Sequence, residues 1–356
     1  MDATTLPPDL RVAVVGVGVM GADHVERLAT RTKFARVSVV NDFDTAKASR
    51  LAGTVPGCRA VEDPFEAITA DDVDAVLLAS PGRFHAEQVL AALEIGRPVL
   101  CEKPLALDPA DALQVVRREA EHGSPLVSVG FMRRFDREHE ELRASLAAGE
   151  LGTPLMVHCK HRNASVPGHF DDRMMVYDSA VHEVDSVRYL LGEEIVSASV
   201  LKPTPSENAP AGLHDPMLVL FRTASGRVVT DELHLTTSAG YEVRTEVVGS
   251  RGSATIGLEV GRLTTQLPGG RWGGSVHADF RPRFRDAYDV QLQRWVDAVR
   301  RGEGVDPTSA TAWDGYAAAV VCEATARALD TDGAPVPVEL ATRPPGPSSD
   351  HHEEQR

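Results

Sequence analysis

Asp178 and His182 are two side chains that could handle a proton together. They stand four residues apart in an apolar helical pattern, and on an α-helix this spacing puts them on one face, one turn apart. Histidine titrates near neutral pH, and a carboxylate can orient its ring and stabilise its charged form. A core histidine held by an aspartate for structural reasons gives the same pattern. Gly192 predicts the end of the helix, whose buried side would consist of Val181, Val184, Val187, Leu190 and Leu191.

Lys103 is a second candidate for chemistry. It follows an apolar run at 98–101 that predicts a buried strand, and ligands of open α/β sheets collect at the carboxyl ends of strands. Pro104 restricts Lys103 to an extended backbone. A solvated surface charge is the alternative.

The elements that would position these groups begin near the N-terminus. The apolar run at 11–15 predicts a buried strand, and it leads directly into the turn Gly16-Val-Gly18-Val-Met20-Gly21. The first two glycines permit a tight turn and let backbone N–H groups approach a pyrophosphate. The third lets a helix that starts near Met20 pack on the strand. This combination predicts a dinucleotide site.

Asp42 follows a second apolar run, at 37–41, where an acidic residue would bind the hydroxyls of an adenosine ribose. A carboxylate at this place would repel a 2′-phosphate, so it favours NAD over NADP. A helix N-cap or turn role is the alternative, and Asp44 competes for both.

Strand and helix signals alternate through the first 130 residues. Apolar runs at 75–78, 98–101 and 126–130 predict further buried strands, and residues 85–95 predict a helix. Alternation of this kind favours a parallel, doubly wound sheet. We therefore predict the α/β class, with a Rossmann dinucleotide-binding domain over residues 1–130.

The pattern changes after residue 130. A charged helix is predicted at 136–148, and short alternating runs predict strands at 155–160, 217–222, 226–235, 241–248 and 253–257. Helices are predicted at 286–301 and 310–328. We expect an α+β domain with a large, mainly antiparallel open sheet over 131–341, used for substrate binding and oligomerisation. Residues 342–356 are proline-rich and polar, and we expect a disordered tail there.

Composition excludes several classes of function. A net charge of −15 opposes binding to nucleic acids and to anionic membranes. The chain has no apolar run of membrane-spanning length, and its first ten residues do not resemble a signal peptide, so a cytoplasmic location is expected. The four cysteines lie far apart without a C-x-x-C pair, which predicts neither a disulfide framework nor a metal site.

Taken together, these motifs resemble the large Gfo/Idh/MocA family of sugar and polyol dehydrogenases, typified by glucose-fructose oxidoreductase and inositol 2-dehydrogenase. The glycine turn, the Glu102-Lys103-Pro104 tripeptide and the Asp178/His182 pair occur in the order and at the separations of that family. The resemblance covers residues 10 to 330, and the segments most similar to bacterial myo-inositol 2-dehydrogenases are 130–136, 158–163, 178–185 and 283–289. Phe135 replaces an expected tyrosine and Lys160 an expected small residue, which leaves the substrate's identity open.

The resemblance implies NAD-dependent oxidation of a secondary alcohol on a cyclic polyol, foremost myo-inositol to its 2-keto product. Scyllo-inositol or another pyranose is the alternative substrate, and a non-catalytic sugar or nucleotide sensor is the alternative class. A homotetramer is expected, as in relatives. The implied catalytic residues are Lys103, Asp178 and His182. The implied cofactor-binding residues are Gly16, Gly18, Met20, Gly21, Asp42, Ser80, His85, Glu102 and Lys103. The implied substrate-binding residues are Lys103, Arg133, His161, Asn163, Asp178, His182, Tyr241 and Tyr288.

Overall fold

The computed structural model describes residues 9–257, 265–267, 271–273 and 277–345. The chain divides into two compact units. The first comprises Met1–Phe131, Tyr288–Ala319 and Ala341–Arg356, and the second comprises Met132–Ala287 and Val320–Leu340. The predicted tail at 342–356 lies outside the described residues, except for 342–345.

The described residues form two seven-stranded sheets and one small hairpin. The strands are β1 (Leu10–Val15), β2 (Ala35–Asn41), β3 (Arg59–Val61), β4 (Ala75–Leu78), β5 (Val99–Cys101), β6 (Val127–Val129), β7 (Pro154–Arg162), β8 (Ile195–Leu201), β9 (Met217–Thr223), β10 (Val228–His234), β11 (Glu242–Gly249), β12 (Gly252–Ile256), β13 (Thr265–Leu267), β14 (Arg271–Gly273), β15 (Ala310–Thr311) and β16 (Val336–Pro337).

Helices occur in both units. They are α1 (Val19–Thr30), α2 (Thr45–Ala52), α3 (Pro64–Thr69), α4 (His85–Glu94), α5 (Pro109–His122), α6 (Arg137–Ala147), α7 (Asp172–Met174), α8 (Val181–Leu191), α9 (Phe280–Arg283), α10 (Arg285–Arg300) and α11 (Ala312–Ala328). Short 3₁₀ turns span Gly82–Phe84 and Met132–Phe135, and a π-helical turn spans Met175–Ala180.

The first unit is a doubly wound sheet with the order β15-β6-β5-β4-β1-β2-β3. All its pairings are parallel except that of β15 with β6 at one edge. Strand β4 is buried at every position, as expected of a parallel strand covered on both faces. Helix α10 adds Leu292, Trp295 and Val296 to the core that β1, β2 and α1 build. The predicted Rossmann fold is confirmed.

The second unit contains an open sheet with the order β12-β11-β7-β10-β9-β8-β16. Its pairings are antiparallel except that of β7 with β10, so the predicted, mainly antiparallel sheet is confirmed. Burial alternates along β9 and β10, which gives the sheet one buried face and one partly exposed face. The π-helical turn packs against β10, and α8 packs against β7.

The predicted strands and helices lie within two residues of observed ones. The sequence reading missed β8, because a register shift between Ile195 and Ser197 interrupts the alternation that marks a half-buried strand. It also placed Asp178 on an α-helix, which is wrong in detail because the turn that carries Asp178 is π-helical. The predicted domain limits remain a prediction. The compact units assign Tyr288–Ala319 to the first unit, whereas the prediction assigned these residues to the second domain.

Candidate active site

The glycine turn joins β1 to α1 by close backbone packing. Gly16 has φ +85°, and a Cβ there would lie 2.5 Å from the backbone nitrogen of Ser80. A Cβ on Gly21 would overlap the carbonyl oxygen of Gly16. Around Gly18, by contrast, no described atom lies within 4 Å of the place where a Cβ would stand, and half-buried Met20 lies in the first turn of α1. The turn therefore leaves space at the N-terminus of α1, where a pyrophosphate could lie against backbone N–H groups.

Asp42 lies beside this turn at the end of β2. Its Oδ2 accepts a hydrogen bond from the backbone N–H of Val17 at 2.7 Å, and its Oδ1 accepts one from Asp44 at 2.9 Å. Asp44, and not Asp42, caps α2, because the Asp44 carboxylate accepts the N–H of Lys47 at 2.9 Å. Asp44 therefore holds the N-cap role, whereas the bond that Asp42 accepts from the Asp44 N–H gives Asp42 a turn role. Carboxylate oxygens can each accept more than one hydrogen bond, so ribose hydroxyls can still bind here.

Ser80 and His85 connect the loops that follow β4 and β5. The Ser80 hydroxyl donates to Gln88 Oε1 at 2.6 Å. His85 is buried, with Nδ1 2.7 Å from the carbonyl oxygen of Pro104 and Nε2 2.7 Å from that of Ser80. Burial lowers the pKa of His85, although these two carbonyl oxygens oppose the shift. The imidazole thus fixes two loops at the carboxyl edge of the first sheet.

Glu102 faces inward beside Lys103. Its Oε1 lies 2.7 Å from Nε2 of fully buried His24, and its Oε2 accepts the backbone N–H of Lys103 at 3.3 Å. Gly130 leaves room for this side chain, because a Cβ there would lie 2.9 Å from Glu102 Oε2 and 3.0 Å from the Glu102 Cα. Tyr288, also buried, packs edge-on against His24 with 5.8 Å between ring centroids. Glu102 therefore holds the backbone of half-buried Lys103, and His24 holds Glu102. His24 was not among the site residues predicted from the sequence.

His182 lies in the first turn of α8, in the second unit. It is 8% exposed, and its ring centroid is 6.3 Å from that of His161 on β7. Asp178 lies in the π-helical turn that precedes α8. Turns of this kind hold an extra residue and occur frequently at functional sites. Gly192, with φ +65°, ends the helix as predicted, and the predicted apolar residues are buried apart from half-buried Leu191.

Arg133, Glu183 and His161 form a buried cluster next to His182. The Arg133 guanidinium donates to Glu183 Oε1, and His161 Nδ1 lies 3.2 Å from Glu183 Oε2 and 3.4 Å from Arg133 Nη2. Tyr241 packs edge-on against His161 with 5.7 Å between ring centroids. Burial raises the pKa of Tyr241 to about 12, although Arg133 opposes the shift. Glu183 is a residue that the sequence reading missed.

The charges in this cluster are compensated. Burial alone would raise the pKa of Glu183, but the charge of Arg133 and the hydrogen bonds from Arg133 and His161 lower it to about 2. Burial would lower the pKa of Arg133, but the negative charge of Glu183 raises it well above its usual range. Glu183 is therefore an anion and Arg133 a cation at neutral pH.

Asn163 follows the end of β7. Its backbone N–H donates to the carbonyl oxygen of His234 at 3.1 Å, and its own carbonyl oxygen accepts the N–H of Thr237 at 3.0 Å. These bonds fix the backbone, whereas the buried side-chain Oδ1 has no hydrogen-bond partner among the described residues. A buried acceptor without a hydrogen-bond donor lowers the stability of the fold, unless a ligand supplies the donor.

The sequence-predicted residues thus fall into two groups. The first unit holds the glycine turn, Asp42, Ser80, His85, Glu102, Lys103 and Tyr288. The second unit brings Arg133, His161, His182 and Tyr241 together and also holds Asn163 and Asp178. The neighbouring Arg134 makes an ion pair with Asp185 at 2.6 Å. In the described part of the chain, no three His, Cys, Asp or Glu residues are grouped as metal ligands would be.

A Rossmann sheet with an intact glycine turn, followed by a unit that contains a histidine-centred polar cluster, defines a nucleotide-dependent oxidoreductase. The family model described as "Oxidoreductase family, NAD-binding Rossmann fold" matches residues 10–131, and the one described as "Oxidoreductase family, C-terminal alpha/beta domain" matches 143–340. The chain belongs to this Gfo/Idh/MocA family of NAD-binding oxidoreductases.

The similarity to known proteins covers nearly the whole chain. Inositol 2-dehydrogenase of Mycolicibacterium gilvum (strain PYR-GCK) is 56% identical over 340 residues, which is 96% of this chain and 96% of that protein. Inositol 2-dehydrogenase of Rhodococcus erythropolis (strain PR4 / NBRC 100887) is 52% identical over 94% of this chain and 97% of that protein. The crystal structure of myo-inositol dehydrogenase from Lactobacillus casei in complex with NAD(H) and myo-inositol aligns with a TM-score of 0.90. The two chains are 31% identical, over 96% of this chain and 100% of that one.

Proposed function

We propose that this protein oxidises myo-inositol at one secondary alcohol, with NAD as the hydride acceptor, and yields the 2-keto product. The observation that carries the proposal is the 56% identity, over 96% of both chains, with a protein named inositol 2-dehydrogenase. The polar cluster around His182 agrees with it, because a cyclic polyol requires several hydrogen-bonding groups at fixed positions.

The first unit fits the cofactor. The space at Gly18 and the α1 N-terminus would accept the pyrophosphate, and Asp42 would accept the ribose hydroxyls while it holds the turn through Val17. When bound, the nicotinamide supplies the carbon that accepts hydride. His85 and Glu102 are committed to protein contacts, so we assign them to the support of the cofactor and Lys103 loops.

The proton would be handled by His182. Its imidazole would accept the proton of the substrate hydroxyl as hydride leaves the carbon that bears this hydroxyl. The ordinary pKa of histidine suits a base at neutral pH. Asp178 would orient the ring and stabilise the imidazolium. Lys103 would donate a hydrogen bond to the reacting oxygen as negative charge develops on it. Lys103 as the base is the alternative assignment.

Asn163 and His161 are the groups that we assign to the other hydroxyls of the substrate. Asn163 Oδ1 is a buried acceptor that lacks a protein donor among the described residues, and His161 lies beside His182. Arg133 is 1% exposed and already paired with Glu183. Tyr241 and Tyr288 are buried against histidine rings. We assign these last three to the shape and support of the site.

We also propose a homo-oligomer that forms through the partly exposed face of the second sheet. On β7, Met156 is an exposed apolar side chain, and His158 lies on the same face. Size-exclusion chromatography with light scattering would test this, and a monomer at micromolar concentration would contradict it. No described helix is long and apolar enough to cross a membrane. The four cysteines, all described, form no disulfide, which fits the cytoplasmic location that we propose.

Initial rates of NADH formation with a panel of polyols test the proposed function. We expect the highest kcat/KM with myo-inositol, and lower values with scyllo-inositol and glucose. A higher kcat/KM with either of those compounds would reassign the substrate. Tight binding of NAD or of a polyol without turnover would instead support the sensor alternative.

A further inference from the structure

Two adjacent arginines make two buried ion pairs with α8, and the first of these pairs also contacts a histidine. Arg133 pairs with Glu183, and Arg134 pairs with Asp185 at 2.6 Å. Both carboxylate residues are 1% exposed. Glu183 also contacts His161, whereas the second pair packs on the ring of Tyr189, which lies 5.3 Å from the Arg134 guanidinium.

The contacts of Glu183 determine which ring nitrogen of His161 carries hydrogen. Glu183 Oε2 lies 3.2 Å from Nδ1 and can only accept, because Glu183 is ionised at neutral pH. Arg133 Nη2 lies farther from Nδ1, at 3.4 Å, and the guanidinium makes its short hydrogen bond through Nη1 to Glu183 Oε1. The stronger interaction is therefore Nδ1–H to carboxylate. In the neutral ring, Nε2 is then a hydrogen-bond acceptor.

We propose that Glu183, held by Arg133, is a positioning residue that fixes His161 with Nδ1–H against the carboxylate and Nε2 as the acceptor for a hydroxyl of the polyol. This inference rests on the proposed function. Arg133 therefore acts on His161 through Glu183. The Tyr241 ring, packed edge-on against the imidazole of His161, restricts its rotation. In many metal sites a carboxylate fixes the tautomer of the histidine that binds the metal. Here the carboxylate would fix the tautomer of a histidine that binds a substrate hydroxyl.

The adjacent pair supplies a matched control. Glu183→Gln and Asp185→Asn each remove one charge from a buried pair on the same helix, so both should lower the melting temperature. Only Glu183→Gln should raise KM for myo-inositol, by about tenfold or more, while the Kd for NADH stays within about twofold of the parent value. Equal kinetic effects in the two variants, or none in Glu183→Gln, would overturn the inference.

A double-mutant cycle tests whether Glu183 acts through His161. His161→Asn keeps an amide near the Nδ1 position but removes the acceptor at Nε2, so it should also raise KM for the polyol. The combined variant should be no worse than His161→Asn alone, because the two changes remove one function. Independent, multiplicative effects would overturn the inference.

Nitrogen-15 chemical shifts of the histidine rings in the protein without substrate provide a readout that does not depend on turnover. His161, assigned from the spectrum of His161→Asn, should show a protonated Nδ1 and an unprotonated Nε2. The opposite tautomer would overturn the inference even if Glu183→Gln fails to fold. A parent protein that turns over no polyol but shows the expected tautomer would contradict the proposed function and leave this arrangement of His161 in place.

Discussion

At the scale of single residues, the proposed base is the imidazole of His182. Replacement by alanine should lower turnover by about two to four decades, the usual range for loss of a general base. NADH binding, followed by fluorescence, should persist because the glycine turn lies in the other unit. His122→Ala, at the end of α5, is the control and should leave turnover unchanged. Near-normal turnover in His182→Ala would assign the base elsewhere, with Lys103 as the next candidate.

Asp42 should determine the choice of cofactor. Its carboxylate would bind ribose hydroxyls but repel a 2′-phosphate, and Phe43 and Asp44, which follow, offer no positive charge. We expect kcat/KM to favour NAD over NADP by at least roughly a hundredfold, equivalent to about 2.7 kcal/mol. Asp42→Ala should erode the preference mainly by weakening NAD use, because it also removes the bond to Val17.

Comparable efficiencies with NAD and NADP in the parent protein would contradict this role of Asp42. They would direct attention to Lys47 or Arg50 on α2 as phosphate ligands.

The sequence could indicate residues of this kind because their chemistry is tied to local signals. Asp42 follows one strand, Lys103 follows another, and His182 interrupts an apolar helix. It could not indicate their buried partners. His24 meets Glu102 across 78 positions, and Arg133 meets Glu183 across 50, so no local pattern links them. For the same reason the sequence could not show that the guanidinium of Arg133, which stays a predicted substrate ligand, is paired with Glu183.

At the scale of elements, two glycines of the turn between β1 and α1 have different roles. Gly21 allows α1 to pack on β1, and Gly18 leaves space for the cofactor. Gly21→Ala should lower the melting temperature, because its Cβ would overlap the Gly16 carbonyl oxygen and push α1 away from β1. Gly18→Ala should preserve the melting temperature, since no described atom approaches the new methyl group, but should weaken NADH binding by occupying space for the pyrophosphate.

Differential scanning fluorimetry and NADH titration check this pair of predictions. A stable Gly18→Ala protein with unchanged NADH affinity would show that the cofactor does not approach this turn.

Helices and strands were predicted correctly where the period of the apolar residues and the turn residues at the ends indicate the same element. Burial along β10 follows a period of two, and Gly192 stops α8 with a positive φ, so both were evident. The π-helical turn at Met175–Ala180 was not, because one extra residue in a turn changes hydrogen bonding without changing the apolar pattern. The parallel pairing of β7 with β10 also depends on strand order, which periodicity does not contain.

At the scale of the whole molecule, Asp231 should limit stability at high pH. It is fully buried on β10, and neither side-chain oxygen has a hydrogen-bond partner among the described residues. Burial raises its pKa well above the ordinary value, and Glu183 adds to the shift. The folded state therefore retains a proton that the unfolded chain releases above about pH 3.9. Stability contributed by this group is present below that pH and is lost as pH rises towards the folded pKa.

Asp231→Asn should remove this penalty. Chemical denaturation should show similar stability for parent and variant near pH 4, because asparagine has similar unpaired polar atoms. The variant should gain roughly 1.4 kcal/mol for each pH unit between the two pKa values. A gain that does not grow with pH would mean that Asp231 is ionised in the folded protein.

The central claim is transfer of hydride from a polyol carbon to the cofactor by the whole protein. The most direct measurement uses myo-inositol carrying deuterium at C2 with NAD, and mass spectrometry of the reduced cofactor and of the ketone. The account predicts one deuterium in each molecule of reduced cofactor and a 2-keto product without deuterium at C2. Reduced cofactor without deuterium, or no reduced cofactor at all, would contradict it.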